Sequence, residues 1–433
     1  MPIVTTETMF EHDKIENFHV TDAEDDALER LQKRLDIEIL RTGRRDELRS
    51  FQYVGVVNLG KRAVQILPKI YTEKADQSKE ERARLATRNL LSLLDYAGEL
   101  KIYEPDIAPL IARDLHWLEI LISLFAKHLL QEWRRGAIKS YQSIDDDLPV
   151  IRGKLRLKDQ LREPARNHIF AVTYDELSAD NKMNQVLRFV VEKLYRLSQN
   201  DENKQQLLLL RHLMSEVTSL PKVTYEDAKS IPINRLNKRY EPILNMARLF
   251  LSDKSSQLAV GEQESFAFVF DMNKLFEAFV VNFIHRHRKQ ILPPKLQGCA
   301  LLPQSRGYTM ALAVRNGKDV MHARPDLVFK QNDHFPLILD AKYKVVTKIS
   351  EQLSTSDFDK MFKYSHGFQC KQVLVVYPQT SHLTLKKLDS YKLKSLESTI
   401  SMAIVDLRVD IDSPTGKTQL INEFKNMLGS LTL

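Results

Sequence analysis

The stretch Arg324-Pro325-Asp326-Leu327-Val328-Phe329, followed by Leu337-Ile338-Leu339-Asp340-Ala341-Lys342-Tyr343-Lys344, decides the reading of this chain. Both are short apolar runs, and Asn332-Asp333-His334 between them are turn residues, so they predict two neighbouring antiparallel strands. Side chains alternate along a strand, which puts Asp340 and Lys342 on one face. Two carboxylates, Asp326 and Asp340, and one ammonium can therefore converge.

That set suits hydrolysis of a phosphodiester. A hard divalent cation, Mg²⁺ or Mn²⁺, held by one or two carboxylates and waters neutralises charge that builds on the transition state. Asp326 and Asp340 are the expected ligands, and Lys342 is expected to position or acidify the attacking water and to stabilise developing negative charge. Asp271 to Ile284 places Leu275, Phe276, Phe279, Val280 and Phe283 at helical spacing with Asp271 as N-cap, and Glu277 beside that stripe is the expected further catalytic acid and ligand. Ser356 to Tyr364 reads as a helix and Gln372 to Pro378 as a buried strand closed by proline. With Tyr308 to Val314 as the first strand, the order is helix, three strands, helix, strand. A lone Asp-x-Lys or Pro-Asp is weak; their joint order within this series carries the inference.

The series is that of PD-(D/E)xK nucleases, and the chain resembles the McrC family, the nuclease subunit of McrBC-type restriction systems. The likeness rests on Leu275-Phe276-Glu277, Pro325-Asp326 and Asp340-Ala341-Lys342-Tyr343. It extends to Arg134-Arg135-Gly136 with Tyr141, to Ile151-Arg152-Gly153-Lys154-Leu155, and to Tyr174 through Asn181 with Asn184. Val54-Gly55-Val56-Val57 and Ile66-Leu67-Pro68-Lys69-Ile70 resemble the N-terminal part of longer members. Where many relatives have a glutamine in the helix after the Asp-x-Lys strand, this sequence has Lys360. The resemblance implies a DNA-cutting subunit that depends on Mg²⁺ and is weak alone. It would dock on a McrB-like AAA+ GTPase ring that reads modified DNA, and would stimulate its GTP hydrolysis. Two other classes stay open: a stand-alone repair or junction nuclease, and a scaffold that only activates the GTPase.

Composition agrees with these expectations without deciding among them. A chain of 433 residues has room for two or three cored domains, and a net charge of +7 is compatible with double-stranded DNA, though an excess that small is usually a solvated surface. Cys299 and Cys370 are the only cysteines, too few for a four-cysteine cluster, and with no disulfide framework the chain reads as cytoplasmic. Glu7, Glu11 and Asp13 argue against a signal peptide. The apolar stretch Trp117 to Leu130 is broken by Glu119, Lys127 and His128, so no membrane span is expected.

The fold class expected is mixed α+β: a β-containing N-terminal segment (1–84), a largely helical docking domain with a small β insertion (85–265), and a C-terminal α/β nuclease domain (266–433). Asp22 to Leu35 reads as a charged helix, and Phe51 to Leu59 with Ala63 to Leu67 as a hairpin around Gly60-Lys61. Leu90 to Tyr96, Leu115 to Trp133, Asn184 to Leu197 and Gln205 to Val217 have helical spacing.

Several basic residues are candidate contacts. Arg324, Lys344 and Lys360 flank the acid pair as expected DNA contacts, and Arg152, Lys154 and Arg156, alternating with Lys158 along one strand face, are expected to meet partner or DNA. Asp145-Asp146-Asp147 is better explained by a helix or turn N-terminus than by a metal. His285 and His287 lack partners at zinc spacing. Asp412 to Thr418 imitates a phosphate-binding loop, but Ile411 stands where that motif needs glycine and Pro414 removes an amide donor, so nucleotide binding is not expected there.

Overall fold

The computed structural model describes residues 5–43, 46–59, 62–71, 78–98, 110, 115–162, 168–252, 255–260, 263–304, 309–315, 318–344, 354–379, 389–394 and 397–431. Its contacts divide the chain into two compact units, Met1–Ile120 with Lys254–Leu433, and Leu121–Asp253. The division expected from sequence, with cuts at 84/85 and 265/266, does not follow these units. Strand pairing is the reason: Gln263–Asp271 is an antiparallel neighbour of Tyr53–Asn58.

In the first unit, a five-stranded sheet runs in the order Thr5–Phe10, Arg62–Leu67, Tyr53–Asn58, Gln263–Asp271, Ser255–Val260. The expected hairpin is present as Tyr53–Asn58 and Arg62–Leu67, with Gly60 and Lys61 outside the described residues. Gly55 is needed there, because a Cβ at that position would fall 2.2 Å from the Phe268 carbonyl oxygen of the facing strand. The charged helix forms over Asp22–Leu35 as the periodicity predicts, closed at its N-terminus by a Thr21–Glu24 capping box. Trp117 stacks on Phe268 with centroids 5.2 Å apart.

A second sheet of six strands runs Ala300–Pro303, Leu327–Gln331, His334–Ala341, Gln372–Pro378, Thr399–Val405, Asp389–Lys392. Its centre is parallel, and every residue of Gln372–Pro378 is buried, which explains a continuous apolar run rather than an alternating one. The first strand of this sheet is Ala300–Pro303, not the expected Tyr308 to Val314. Tyr308 lies outside the described residues, and Met310–Arg315 pairs with Lys318–Ala323 in a separate hairpin. Helix Met272–Arg286 packs against the strand His334–Ala341, and helix Thr355–Gly367 against Gln372–Pro378.

The second unit contains helices Lys182–Leu197, Asp201–Leu213 and Glu241–Leu251 and a three-stranded sheet ordered Ser140–Leu148, Phe170–Ser178, Lys154–Leu155. Asp145, Asp146 and Asp147 are strand residues here rather than the helix or turn start expected. The predicted single strand face of Arg152, Lys154, Arg156 and Lys158 is also not found: the strand ends at Leu155 and Leu157–Gln160 turns into helix. Among the described residues no helix is long and apolar enough to cross a membrane.

Candidate active site

Strand register sets the site. Leu327 pairs with Leu339 and Val328 with Ile338, so Asp326, one residue before the strand Leu327–Gln331, falls opposite Asp340 and shares its face. That face is the one whose Val328 and Ile338 pack with Met361 and Tyr364 of the helix Thr355–Gly367. Asp340 is fully buried and Asp326 nearly so. The Asp326 carboxylate accepts the Ala341 amide hydrogen at 2.7 Å, which holds it across the strand junction.

Two ammoniums meet Asp340. Lys342 Nζ lies 2.7 Å from Oδ2 and Lys360 Nζ 3.1 Å from Oδ1. Lys360 donates a hydrogen bond to Oδ1, whereas Lys342 is out of line for one, so Oδ2 is a buried carboxylate oxygen with an ion-pair neighbour but no hydrogen-bond donor. The Lys342 amide donates to Val376 O at 2.8 Å, carrying the parallel pairing past the strand end and fixing where its side chain leaves the sheet.

Electrostatics tie in the third acid. Burial, reinforced by Asp340 and Glu277, pushes the Asp326 carboxyl up to about 8. Glu277, half-buried on the helix capped by Asp271, is likewise held above the ordinary carboxylate value by burial and by Asp340, against the pull of Lys342. Lys360 stays above its ordinary value because, although burial works against its charge, Asp340 outweighs it.

The acid pair fits a hard dication: Asp326 and Asp340 offer only carboxylate oxygens, one of them lacking a hydrogen-bond donor, and Glu277 is near enough for Asp340 to raise its carboxyl. Among the described residues no group of three or more Asp, Glu, His or Cys side chains is placed to hold a metal ion. Mg²⁺ does not require such a group, since it keeps waters and substrate oxygens beside one or two carboxylates.

The other candidates divide. Arg324 is exposed beside the buried Pro325, and its carbonyl accepts the Tyr364 hydroxyl at 2.9 Å. Lys344 is paired with Asp357, whose carboxyl is held low by Lys344 and Ser354 in spite of burial. In the other unit, Arg156 is pinned by Asp159 at 2.7 Å and Asp147 at 3.4 Å, and the Arg152 guanidinium lies 4.0 Å from the centre of the Tyr174 ring. The phosphate-loop mimic is an ordinary helix start, with Ser413 as N-cap accepting the Gly416 amide hydrogen.

Two contacts by the site escaped sequence reasoning. Tyr364 stands one helical turn after Lys360 with its ring 5.4 Å from that ammonium, a spacing readable in principle as i, i+4. Tyr343 donates to Glu11 at 2.8 Å and its ring meets Phe276, next to Glu277, at 5.7 Å. No local signal points to Glu11, which is 332 positions away.

This fold and arrangement can be set beside known proteins. The family model described as McrBC 5-methylcytosine restriction system component matches residues 48–378, well over half of the chain, and the chain belongs to that family. It is similar to a chain of the refined half-complex from the tetradecameric assembly of Thermococcus gammatolerans McrB AAA+ hexamers with bound McrC, with TM-score 0.75 and 23% identity over 98% of this chain and 100% of that one. It is also similar to a chain of the Thermococcus gammatolerans McrBC complex determined by cryo-EM, with TM-score 0.53 and 26% identity over 66% of this chain and 88% of that one. No curated protein matches.

Proposed function

We propose that this chain is the DNA-cutting subunit of a modification-dependent restriction complex, an endonuclease dependent on Mg²⁺ or Mn²⁺ that docks on a McrB-like AAA+ GTPase and stimulates it. The observation that carries this reading is the cross-strand pair Asp326 and Asp340 on one sheet face, with Lys342 Nζ 2.7 Å from an Asp340 oxygen that has no hydrogen-bond donor.

Asp326, Asp340 and Glu277 would hold the cation, which when bound supplies positive charge for the phosphate oxygens and lowers the pKa of water. The chain's own groups do the rest. Asp340, fully buried, orients the reacting centre. Lys342 holds the attacking water on its exposed side and faces the charge that grows on the non-bridging oxygens. As the water oxygen bonds to phosphorus it gives up a proton to solvent, and the ester oxygen leaves with the bonding pair and takes a proton from solvent. Arg324 and Lys344 would meet flanking phosphates, Lys344 by exchanging Asp357 for DNA.

The docking face is assigned to the second unit, where Tyr141, Val150, Ile151, Leu157 and Leu161 expose large apolar side chains on and beside the three-stranded sheet. Arg152 and Lys154 would contribute there, with Arg156 holding the strand end in shape.

The test mixes the full chain with a McrB-type GTPase and plasmids with and without methylcytosine, and scores cutting with and without GTP. Asp340→Asn and Lys342→Ala are each expected to reduce cleavage at least about a hundredfold, the scale of losing a transition-state contact, while GTPase stimulation persists. Undiminished cleavage by both variants would rule out this site and leave the activating scaffold.

A further inference from the structure

Asp340 is bracketed by two lysines of unequal freedom. Lys342 grows from the strand end and its side chain is 14% exposed; Lys360 reaches in from the neighbouring helix and is 40% exposed, meeting Asp340 Oδ1 and the Tyr364 ring. An ammonium is a compact charge on a flexible stem, so Lys360 can change its anion without moving the helix. The Tyr364 ring, 5.4 Å away, favours a cation at the site where the ammonium rests.

Charge balance says when it would move. Once a cation is bound and Glu277, Asp326 and Asp340 are all ionised, the three carboxylates exceed the two ammoniums by one negative charge. One dication and one phosphodiester together bring one positive charge, and the centre is then neutral. Adding the dication alone leaves the centre positive, with an ammonium and the dication both seeking Asp340.

We propose that Lys360 couples cation uptake to DNA arrival: without DNA its ammonium occupies Asp340 Oδ1 and competes with a divalent cation for that carboxylate, and a phosphodiester draws it off onto a non-bridging phosphate oxygen. This deepens the reading of the site as a metal-dependent nuclease and rests on it. Only anion exchange is involved; no bond is made or broken. The consequence is a centre that fills with metal chiefly when its substrate is present.

Mn²⁺ titrations of the full chain, read by electron paramagnetic resonance of the free ion, test it without any cleavage. Lys360→Gln is expected to bind Mn²⁺ roughly tenfold more tightly than the unaltered chain, the factor that one charge-assisted hydrogen bond is worth. Lys360→Arg, which keeps the charge, is expected to stay close to the unaltered chain. A short DNA duplex is expected to tighten Mn²⁺ binding to the unaltered chain, and a matched methylphosphonate duplex, which lacks the charge, is not; in Lys360→Gln the difference between the duplexes shrinks, as reciprocal coupling demands. Equal Mn²⁺ affinity for the unaltered chain and Lys360→Gln, with binding lost in Asp340→Asn, overturns the coupling and leaves the metal site standing. Mn²⁺ binding that Asp340→Asn does not weaken overturns the site itself.

Discussion

Glu11 shows at the scale of one residue how far the surroundings of a side chain can depart from its sequence context. It is a carboxyl near the N-terminus, yet it is buried where the Tyr343 hydroxyl and the Lys69 amide donate to Oε2, while Oε1 has no hydrogen-bond partner. Burial pushes it up to about 7, against Lys69. The folded chain therefore holds this proton more tightly than the unfolded chain does. Its contribution to stability is greatest below the ordinary value of 4.5, falls as pH climbs towards 7 and is flat above that, a span of roughly 3 kcal/mol at most. Glu11→Gln keeps the acceptor and removes the titration. Against the unaltered chain in urea unfolding, the variant should gain stability between pH 5 and pH 8; parallel pH profiles would refute the assignment. The acid pair and Lys342, by contrast, were readable as residues, because a two-residue spacing on a strand fixes a shared face.

At the scale of elements, most helices were legible because the apolar stripe recurs every three or four residues. Lys182–Leu197 is found close to its expected start at Asn184, and its capping explains the signature around it. Asn181 accepts the Asn184 amide hydrogen, and the fully buried Asn184 side chain donates to Ile138 O at 2.8 Å and Ala179 O at 2.7 Å. These bonds serve two carbonyls between the three-stranded sheet and the helix. Asn184→Ala is expected to destabilise the second unit by about 1 kcal/mol, the net worth of the lost hydrogen bonds, because the Asn181 side chain still donates to both carbonyls, as measured by chemical denaturation; a change within experimental error would mean that water replaces the side chain. The strand Ser140–Leu148 was not legible, because most of its residues are exposed or half-buried and its sequence is polar, so it lacks an apolar alternation to read. The run Arg152 to Lys158 misled for the opposite reason: its alternation is regular, but Arg156 ends the strand by pairing with Asp147 and Asp159 as the chain turns into helix.

At the scale of the molecule, the nuclease-like sheet does not stand apart from the N-terminal segment. Helix Lys79–Tyr96 packs on helix Met272–Arg286, where Tyr96 meets Phe279 edge on at 5.4 Å and Asp95 pairs with Arg286 at 2.6 Å. Asn89 donates to Tyr71, Leu407 O and Val409 O and accepts the Ile411 amide hydrogen. A fragment of residues 266–433 is therefore expected to lack a cooperative thermal transition by circular dichroism, since it exposes the partner faces of Gln263–Asp271 and Met272–Arg286. A sharp transition in that fragment would show that the C-terminal part folds alone.

The amino-acid sequence by itself determined the family, the mixed α+β class, the periodic helices and the residues of the acid pair with their lysine, since each of these follows from spacing within about a dozen positions or from a motif in order. Only the tertiary structure decided where the compact units divide, which strand edges the second sheet, that Lys360 shares Asp340 with Lys342, and that Glu11 reaches Tyr343. Those contacts join segments remote in the chain, and a local pattern holds no record of which distant surface will bury it.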